Sequence, residues 1–330
     1  MNKTRNIIYP KCYKTFTQWC ETDIYRKNIY NFIGKPKPFD VSLRDGLQSL
    51  PKDISQSFDF SKKVELYNFI RKTYMPKNIE MGSIVSEKVL PIFADSIELY
   101  KLCQQNHNGI VEGNRINKNN RYFSVINNWL LIPNEVYYEK TLFNAICPNM
   151  SFITSVSESF QQKNTKMTIN QSISNIVNIL QRIDDCDYYC NPLTKIYVSC
   201  INECPIEGKI PLDKIVKYIS FLSTLKTDTI CLSDTCGTLT AYDFTSLVRK
   251  LILNNIPLSK ISLHLHVRDE QVTEDIILTA LNYGITNFDV SMLSTGGCSV
   301  TMDRSKIASN LSYDLYYKSL AKWILTRTEM

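Results

Sequence analysis

Short apolar runs alternate with stretches of helical period about eight times along this chain, and this alternation limits the fold more than any other feature. The clearest helical stripe has apolar residues at steps of four, three, four and three, which places them on one face. Its members are Ile169, Ile173, Ile176, Leu180 and Ile183. The strand runs are apolar enough to be buried on both faces, as in a parallel sheet. Eight such units favour a closed α/β barrel, the (β/α)8 TIM barrel, over an open doubly wound sheet.

The predicted elements follow one another in regular order. Strands are predicted at 39–43, 79–83, 122–126, 152–156, 196–199, 229–232, 261–265 and 287–291. Thr240 is the expected N-cap of the helix after the sixth strand, and Gly284 is the expected cap after the seventh helix. The final helix is expected over 311–325.

A chain of 330 residues is long enough for one large barrel. Residues 1–36 precede the first strand, so we expect an N-terminal extension followed by a catalytic barrel over 37–330. The polar stretch 101–120 predicts a surface insertion. The net charge of +6 is small and the lysines are scattered, so nucleic acid is not an expected partner. No apolar run approaches the roughly 18–20 residues of a membrane span.

The 11 cysteines indicate free thiols, because their number is odd and no secretory apolar segment precedes them. A reducing, cytoplasmic location is therefore expected. No CxxC occurs, which argues against a structural zinc site. Neither a GxGxxG nor a GxxxxGK[ST] motif is present, so dinucleotide and P-loop nucleotide binding have no support.

Two of the three histidines, His264 and His266, are separated by one residue in the seventh predicted strand. Residues i and i+2 of a strand point to the same side, so both imidazoles face one place. In a barrel of this type that place is the carboxyl end of the strands, where functional residues gather. Imidazole pairs so placed are typical metal ligands. A pair of ordinary polar side chains at the barrel rim is the alternative, and the pattern alone leaves both open.

Charged residues stand at the ends of three other predicted strands. Arg44 and Asp45 follow the first strand, where the carboxylate can supply a hard oxygen ligand and the guanidinium can neutralise an oxyanion. An ordinary ion pair is the alternative use of these two residues. Glu80 and Asp234 lie at the ends of the second and sixth strands, at a comparable depth.

Two further candidates come late in the chain. Cys298 follows two glycines after the eighth strand, which indicates a mobile loop that delivers a thiol; an incidental buried cysteine is the alternative. Asn310 precedes the final helix and is either an oxygen ligand or an N-cap, of which the cap is the more frequent.

Except for Asn310, these residues lie in segments that resemble the 3-hydroxy-3-methylglutaryl-CoA (HMG-CoA) lyases of the DRE-TIM metallolyase superfamily. The resemblance covers roughly residues 38–325 and keeps the family's order. Its segments are DVSLRDGLQ (40–48), IEMGSIVSEKVLPIFAD (79–95), SESFQQKN (157–164), YVSCINECPIEGKI (197–210), SDTCG (233–237), HLH (264–266) and GGC (296–298). The fifth-strand segment and the GGC cysteine distinguish the lyases from the related isopropylmalate and homocitrate synthases.

The resemblance implies a divalent metal cofactor, Mg²⁺ or Mn²⁺. Carried over position by position, it implies that the ligands are Asp45, His264, His266 and Asn310. It also implies an acyl-CoA substrate, and a homodimer is a further expectation.

The resemblance further implies retro-Claisen cleavage of a 3-hydroxyacyl-CoA. Arg44 would stabilise the enolate oxygen, while Glu80 and Asp234 would orient the substrate and proton traffic. Cys298 would take part in general acid–base catalysis, and His264 is counted among the catalytic residues as well as the ligands.

Two other functions stay open at this point. One is a Claisen-condensing acyl-CoA synthase, which the presence of Cys298 disfavours. The other is a catalytically silent barrel that serves as a binding module. Its weakness is that the residues with chemical roles are all retained together.

Overall fold

The computed structural model describes residues 38–50, 54–55, 57–113, 126–185, 191–293, 295–296 and 308–328. These ranges contain a nine-stranded sheet and a small two-stranded hairpin. In chain order the strands are β1 (Phe39–Asp40), β2 (Asn78–Ser83), β3 (Asn127–Leu131), β4 (Asn149–Ser155), β5 (Thr194–Ser199), the hairpin strands β6 (Glu203–Cys204) and β7 (Gly208–Lys209), β8 (Thr229–Asp234), β9 (Ile261–Val267), β10 (Asp289–Val290) and β11 (Ser309–Asn310).

The large sheet rolls into a nearly closed barrel. Its order is β10-β1-β2-β3-β4-β5-β8-β9-β11, and every neighbouring pair is parallel except β9 with β11. A parallel bridge between Leu263 and Phe288 joins β9 to β10, where the Leu263 N–H donates to the Asn287 carbonyl at 3.0 Å. Eight parallel strands thus encircle the barrel within the described residues, which confirms the predicted fold class.

Helices surround the sheet and bury their apolar stripes against it. They are α1 (Phe60–Thr73), α2 (Ser96–Gly113), α3 (Glu135–Phe143), α4 (Glu158–Thr165), α5 (Ile169–Asp184), α6 (Leu212–Ser223), α7 (Ala241–Leu253), α8 (Glu270–Asn282) and α9 (Tyr313–Thr328). The Thr240 side chain accepts from the Asp243 N–H, and Gly284 has a φ of +81° beyond α8, so both predicted caps are confirmed. Among the helices of the described ranges, none is long and apolar enough to cross a membrane.

The first strand is shorter than the predicted run 39–43. The Asp40 carboxylate accepts from the Ser42 N–H at 2.9 Å and from its hydroxyl at 3.0 Å, and the Tyr313 hydroxyl donates to it at 2.7 Å. This local turn competes with the sheet ladder, as short polar side chains often do. The chain therefore leaves the sheet after two residues and enters a π-helix at Ser42–Gly46, a rare element that is frequent at functional sites.

Three other predicted boundaries also differ. The stretch 101–120 is not wholly a surface insertion, because α2 continues to Gly113, while 114–120 lie outside the described residues. The third strand begins at Asn127, just after the predicted run 122–126, of which only Ile126 is described. Asn310 lies in β11 instead of at the start of the last helix, which begins at Tyr313, so Asn310 does not act as its N-cap.

Candidate active site

Three buried side chains converge at the carboxyl end of the barrel: Asp45 of the π-helix, and His264 and His266 of β9. The two Nε2 atoms of the histidines are 3.1 Å apart. The Oδ2 atom of Asp45 lies 3.8 Å from Nε2 of His264 and 3.7 Å from Nε2 of His266. This cluster, which we call the cation corner, brings together three of the four residues proposed as metal ligands.

The other ring nitrogens determine which atoms face the cation corner. Nδ1 of His266 lies 3.0 Å from the Thr235 carbonyl, and Nδ1 of His264 lies 3.2 Å from Oδ2 of Asp289. Both partners are acceptors, so both Nδ1 atoms carry the hydrogen. In the neutral rings the two Nε2 lone pairs then face each other beside a carboxylate. Two Nε2 lone pairs beside a carboxylate form a set of electron-pair donors that suits a bound cation.

Burial and charge act together on the cation corner. Burial lowers the pKa of His264. Burial also acts to lower the pKa of His266, but the adjacent Asp45 carboxylate outweighs it, and the pKa is raised. Burial would raise the pKa of Asp45, yet the Arg44 guanidinium and the two imidazoles hold it well below its usual range. Asp45 therefore stays an anion, which is what a metal ligand must be.

Asn310 contacts the cation corner through its amide nitrogen. Its Nδ2 group donates to Oδ2 of Asp45 at 2.9 Å and to the Thr295 carbonyl at 2.8 Å. Its amide oxygen Oδ1 is buried and has no hydrogen-bond partner among the described residues. Burying an oxygen atom costs free energy unless a hydrogen-bond donor or a cation contacts it. Two imidazoles and a carboxylate form a mixed nitrogen and oxygen set that suits a divalent cation, so these three residues fit the expected metal.

Gly296 is the reason that Asn310 can approach this closely. A Cβ atom on Gly296 would lie 2.7 Å from both Cγ and the backbone N of Asn310. The first glycine of the GGC segment is therefore required by packing. The residue after it, Gly297, lies outside the described residues.

Gly296→Ala is accordingly expected to displace Asn310, to weaken Mn²⁺ binding and to destabilise the barrel by about 1–3 kcal/mol, the usual cost of overpacking. Titration with Mn²⁺ and thermal unfolding measure the two effects. Gly284→Ala is the matched control: its positive φ makes the substitution strained, but its Cβ would meet open space far from the cation corner. Equal Mn²⁺ affinity in both variants would contradict the role given to Gly296.

Arg44 is fixed between two carboxylates. Its Nη1 group donates to Oδ1 of Asp45 and its Nε group to Oε2 of Glu80, each at 2.6 Å. The guanidinium also lies over the Tyr197 ring, 5.0 Å from the centroid. The Arg44 side chain is 7% exposed. It lines the cavity that opens onto the cation corner, which we call the main cavity. A cation held in this way is fixed in advance, as groups that stabilise an oxyanion are.

Glu80 lies beneath Arg44 and is fully buried. Besides Arg44, it accepts hydrogen bonds from the Tyr197 hydroxyl at 3.0 Å and from the Ser151 hydroxyl. Glu80 sits within β2 and does not end it. The arrangement favours a role in holding Arg44.

Two other predicted catalytic residues, Asp234 and Cys298, are not placed in the cation corner by the described structure. The Asp234 carboxylate accepts from the backbone N–H groups of Thr238 and Leu239, and so organises the turn after β8. Burial raises its pKa. It borders a second cavity behind β9. Cys298 lies outside the described residues, and its role stays a prediction.

The main cavity has a volume of about 330 Å³ and opens onto the cation corner. Arg44 and both histidines form its polar floor, while apolar side chains, including Leu131 and Ile153, form much of its wall. A polar floor within an apolar wall is typical of small-molecule sites.

Sequence reasoning missed two groups that orient the site. The hydroxyl of Tyr197, the first residue of the YVSC segment, donates a hydrogen bond to Glu80. The Tyr197 ring packs edge-on against His264 with ring centroids 5.8 Å apart. Asp289 of β10 holds Nδ1 of His264. Both lie in predicted strands, and the alternation of inward positions was the available signal.

Comparison with known proteins agrees with this geometry. The family model described as HMGL-like matches residues 128–318, more than half of the chain. The hydroxymethylglutaryl-CoA lyase of Bacillus subtilis is 28% identical over 259 residues, covering 78% of this chain and 77% of that protein.

Solved structures show the same fold. Hydroxymethylglutaryl-CoA lyase from Pseudomonas aeruginosa superposes with a TM-score of 0.70 at 24% identity, covering 88% of this chain and 86% of that one. An HMG-CoA lyase from Acinetobacter baumannii, solved in complex with coenzyme A and 3-methylmalate, gives 0.66 at 22% identity, covering 89% and 90%. The segments singled out in the sequence and the family match point the same way: this chain belongs to the HMGL-like family.

Proposed function

We propose that this protein is a divalent-metal-dependent carbon–carbon lyase. Its proposed reaction is retro-Claisen cleavage of 3-hydroxy-3-methylglutaryl-CoA, or a close 3-hydroxyacyl-CoA analogue, to acetyl-CoA and a 3-oxo acid such as acetoacetate. The observation that carries the proposal is the convergence of two Nε2 lone pairs and the Asp45 carboxylate beneath a small-molecule cavity. The lyase names of the relatives and the coenzyme A in one structural neighbour support the reaction and substrate class.

The ligands of Mg²⁺ or Mn²⁺ in this proposal are Asp45, His264, His266 and, through its buried amide oxygen, Asn310. A bound divalent ion would polarise substrate oxygens and accept part of the negative charge that develops as the bond breaks.

The side chains of this chain divide the remaining work. Arg44 offers N–H groups to the oxygen of the departing acetyl-CoA enolate, and Glu80 keeps the guanidinium in place. The apolar wall of the cavity excludes water from the enolate, which limits its premature protonation. Cys298 is proposed to take part in proton transfer, and Asp234 to shape the loop beside His266. A cytoplasmic location, a homodimer and the division at residue 36 stay predictions from the sequence.

The direct test is an assay of the purified protein with Mg²⁺ or Mn²⁺. We expect acetyl-CoA release from 3-hydroxy-3-methylglutaryl-CoA, its loss after treatment with a chelator, and its return when the ion is restored. Cleavage that persists in excess chelator would contradict the metal dependence. A metal-loaded protein that cleaves no 3-hydroxyacyl-CoA would contradict the lyase proposal.

A further inference from the structure

Lys195 is a buried cation that the proposed chemistry does not use. It lies on β5, and its side chain is 1% exposed. Its Nζ atom lies 2.6 Å from Oδ1 of Asp289, 3.5 Å from the centroid of the Phe39 ring and 4.4 Å from that of the Tyr197 ring. An ion pair inside a barrel stabilises the fold no better than apolar side chains of similar volume. Its presence therefore points to a role beyond packing.

Asp289 connects this cation to the cation corner. One carboxylate oxygen, Oδ1, binds Lys195, and the other, Oδ2, accepts from Nδ1 of His264 at 3.2 Å. The Cys231 thiol is a more distant neighbour, 3.8 Å from Oδ2. Lys195, Asp289 and His264 thus form a continuous, buried series of polar contacts that ends at a proposed metal ligand.

We propose that Lys195 is a positioning residue for the cation corner. By anchoring one oxygen of Asp289, it aims the other at Nδ1 of His264, which keeps the hydrogen on that nitrogen and presents Nε2 to the ion. Asp289 holds a proposed ligand without itself being one, and replacing such partners commonly changes metal affinity; Lys195 acts on the ligand through Asp289. This inference rests on the metal site of the proposed function.

A cavity beside Lys195 allows a rescue experiment. At the amino end of the barrel, about 180 Å³ of space is bordered by Lys195, Asp289, Trp129, Asp228 and Ser262. The Asp228 carboxylate and the Ser262 hydroxyl supply polar groups at its border. The larger guanidinium of an arginine therefore has room and polar neighbours, and it still carries the charge that Asp289 needs.

The test measures Mn²⁺ affinity from the electron paramagnetic resonance signal of the free ion. Lys195→Met is expected to lower the affinity about 10- to 100-fold. Lys195→Arg is expected to restore it to near the wild-type value. The matched control is Lys63→Met, which removes a different ion pair outside the cation corner, the one between the buried Lys63 and the partly buried Asp95 at 2.5 Å. This control is expected to lower the unfolding temperature and leave the Mn²⁺ affinity unchanged.

Two outcomes would overturn the inference: wild-type affinity in Lys195→Met, or an equal loss of affinity in Lys63→Met. Where Lys195→Met does not fold, as judged by circular dichroism, Asp289→Asn serves in its place, with a loss of affinity expected and wild-type affinity counting against the proposal. A wild-type chain that binds no Mn²⁺ overturns the metal site and this inference together. A wild-type chain that binds Mn²⁺ but cleaves no 3-hydroxyacyl-CoA would contradict the proposed reaction and leave the inference about Lys195 standing.

Discussion

Asp45→Ala is expected to lower acetyl-CoA release about 1,000-fold or more and to weaken Mn²⁺ binding severely. The carboxylate is the one anion among the proposed ligands, and it also partners Arg44 and Asn310. Metal ions contribute several kcal/mol to such reactions, and each ~1.4 kcal/mol corresponds to a tenfold change in rate. Steady-state kinetics and Mn²⁺ titration of the same preparation measure both effects.

The control for this variant is Asp213→Ala. Asp213 is also an aspartate paired with a cation, Lys250, but its side chain is 85% exposed on α6, and pairs of this kind contribute little. Its activity and metal affinity are expected to match the wild type. If Asp45→Ala binds Mn²⁺ as the wild type does, the cation corner is not the metal site.

Arg44→Lys is expected to lower kcat about 100- to 1,000-fold, the usual cost of removing a group that stabilises an oxyanion. Lysine keeps the charge but cannot reach Asp45 and Glu80 with a planar fork, nor stack in the same way on Tyr197. The conservative change is preferable to methionine, which would leave Glu80 as an unpaired buried anion and cost about 3–5 kcal/mol of stability.

The pattern of the kinetic loss identifies the role of Arg44. A transition-state role lowers kcat and kcat/KM together, whereas a raised KM with normal kcat would indicate substrate binding alone and contradict the proposal. Mn²⁺ affinity is expected to change far less than kcat. Arg182→Lys, at a partly exposed arginine that pairs with Glu139 on the outer surface, is expected to leave both unchanged.

The features that could be predicted from the sequence depend on the spacing of residues close together in the chain. Strand and helix periods repeat within a few residues, so the barrel followed from them. The spacing of His264 and His266 places both rings on one side of a single strand. Asp45 joined them because the carboxyl ends of all parallel strands lie at the same end of a barrel.

What could not be predicted depends on partners far away in the chain. The Asp40 turn that ends the first strand also accepts a hydrogen bond from the Tyr313 hydroxyl, 273 residues later. Lys195 and Asp289 are 94 residues apart, and each alone resembles any charged residue beside a strand. The sequence also places Asp234 at a strand end, yet only the backbone of the next turn explains its carboxylate contacts.

The setting of Asn310 has a consequence for how this barrel can diversify. Its amide ties β11 to the Thr295 carbonyl, 15 residues earlier, and β11 pairs Asn310 with His266. Thr295 and Asn310, the two ends of the segment between them, are therefore held together beside the cation corner. Lengthening a loop between fixed ends costs only about 0.6 kcal/mol per doubling of its length. Changes in the length of the segment between Thr295 and Asn310 are therefore expected to cost little stability as long as its two ends stay tied together.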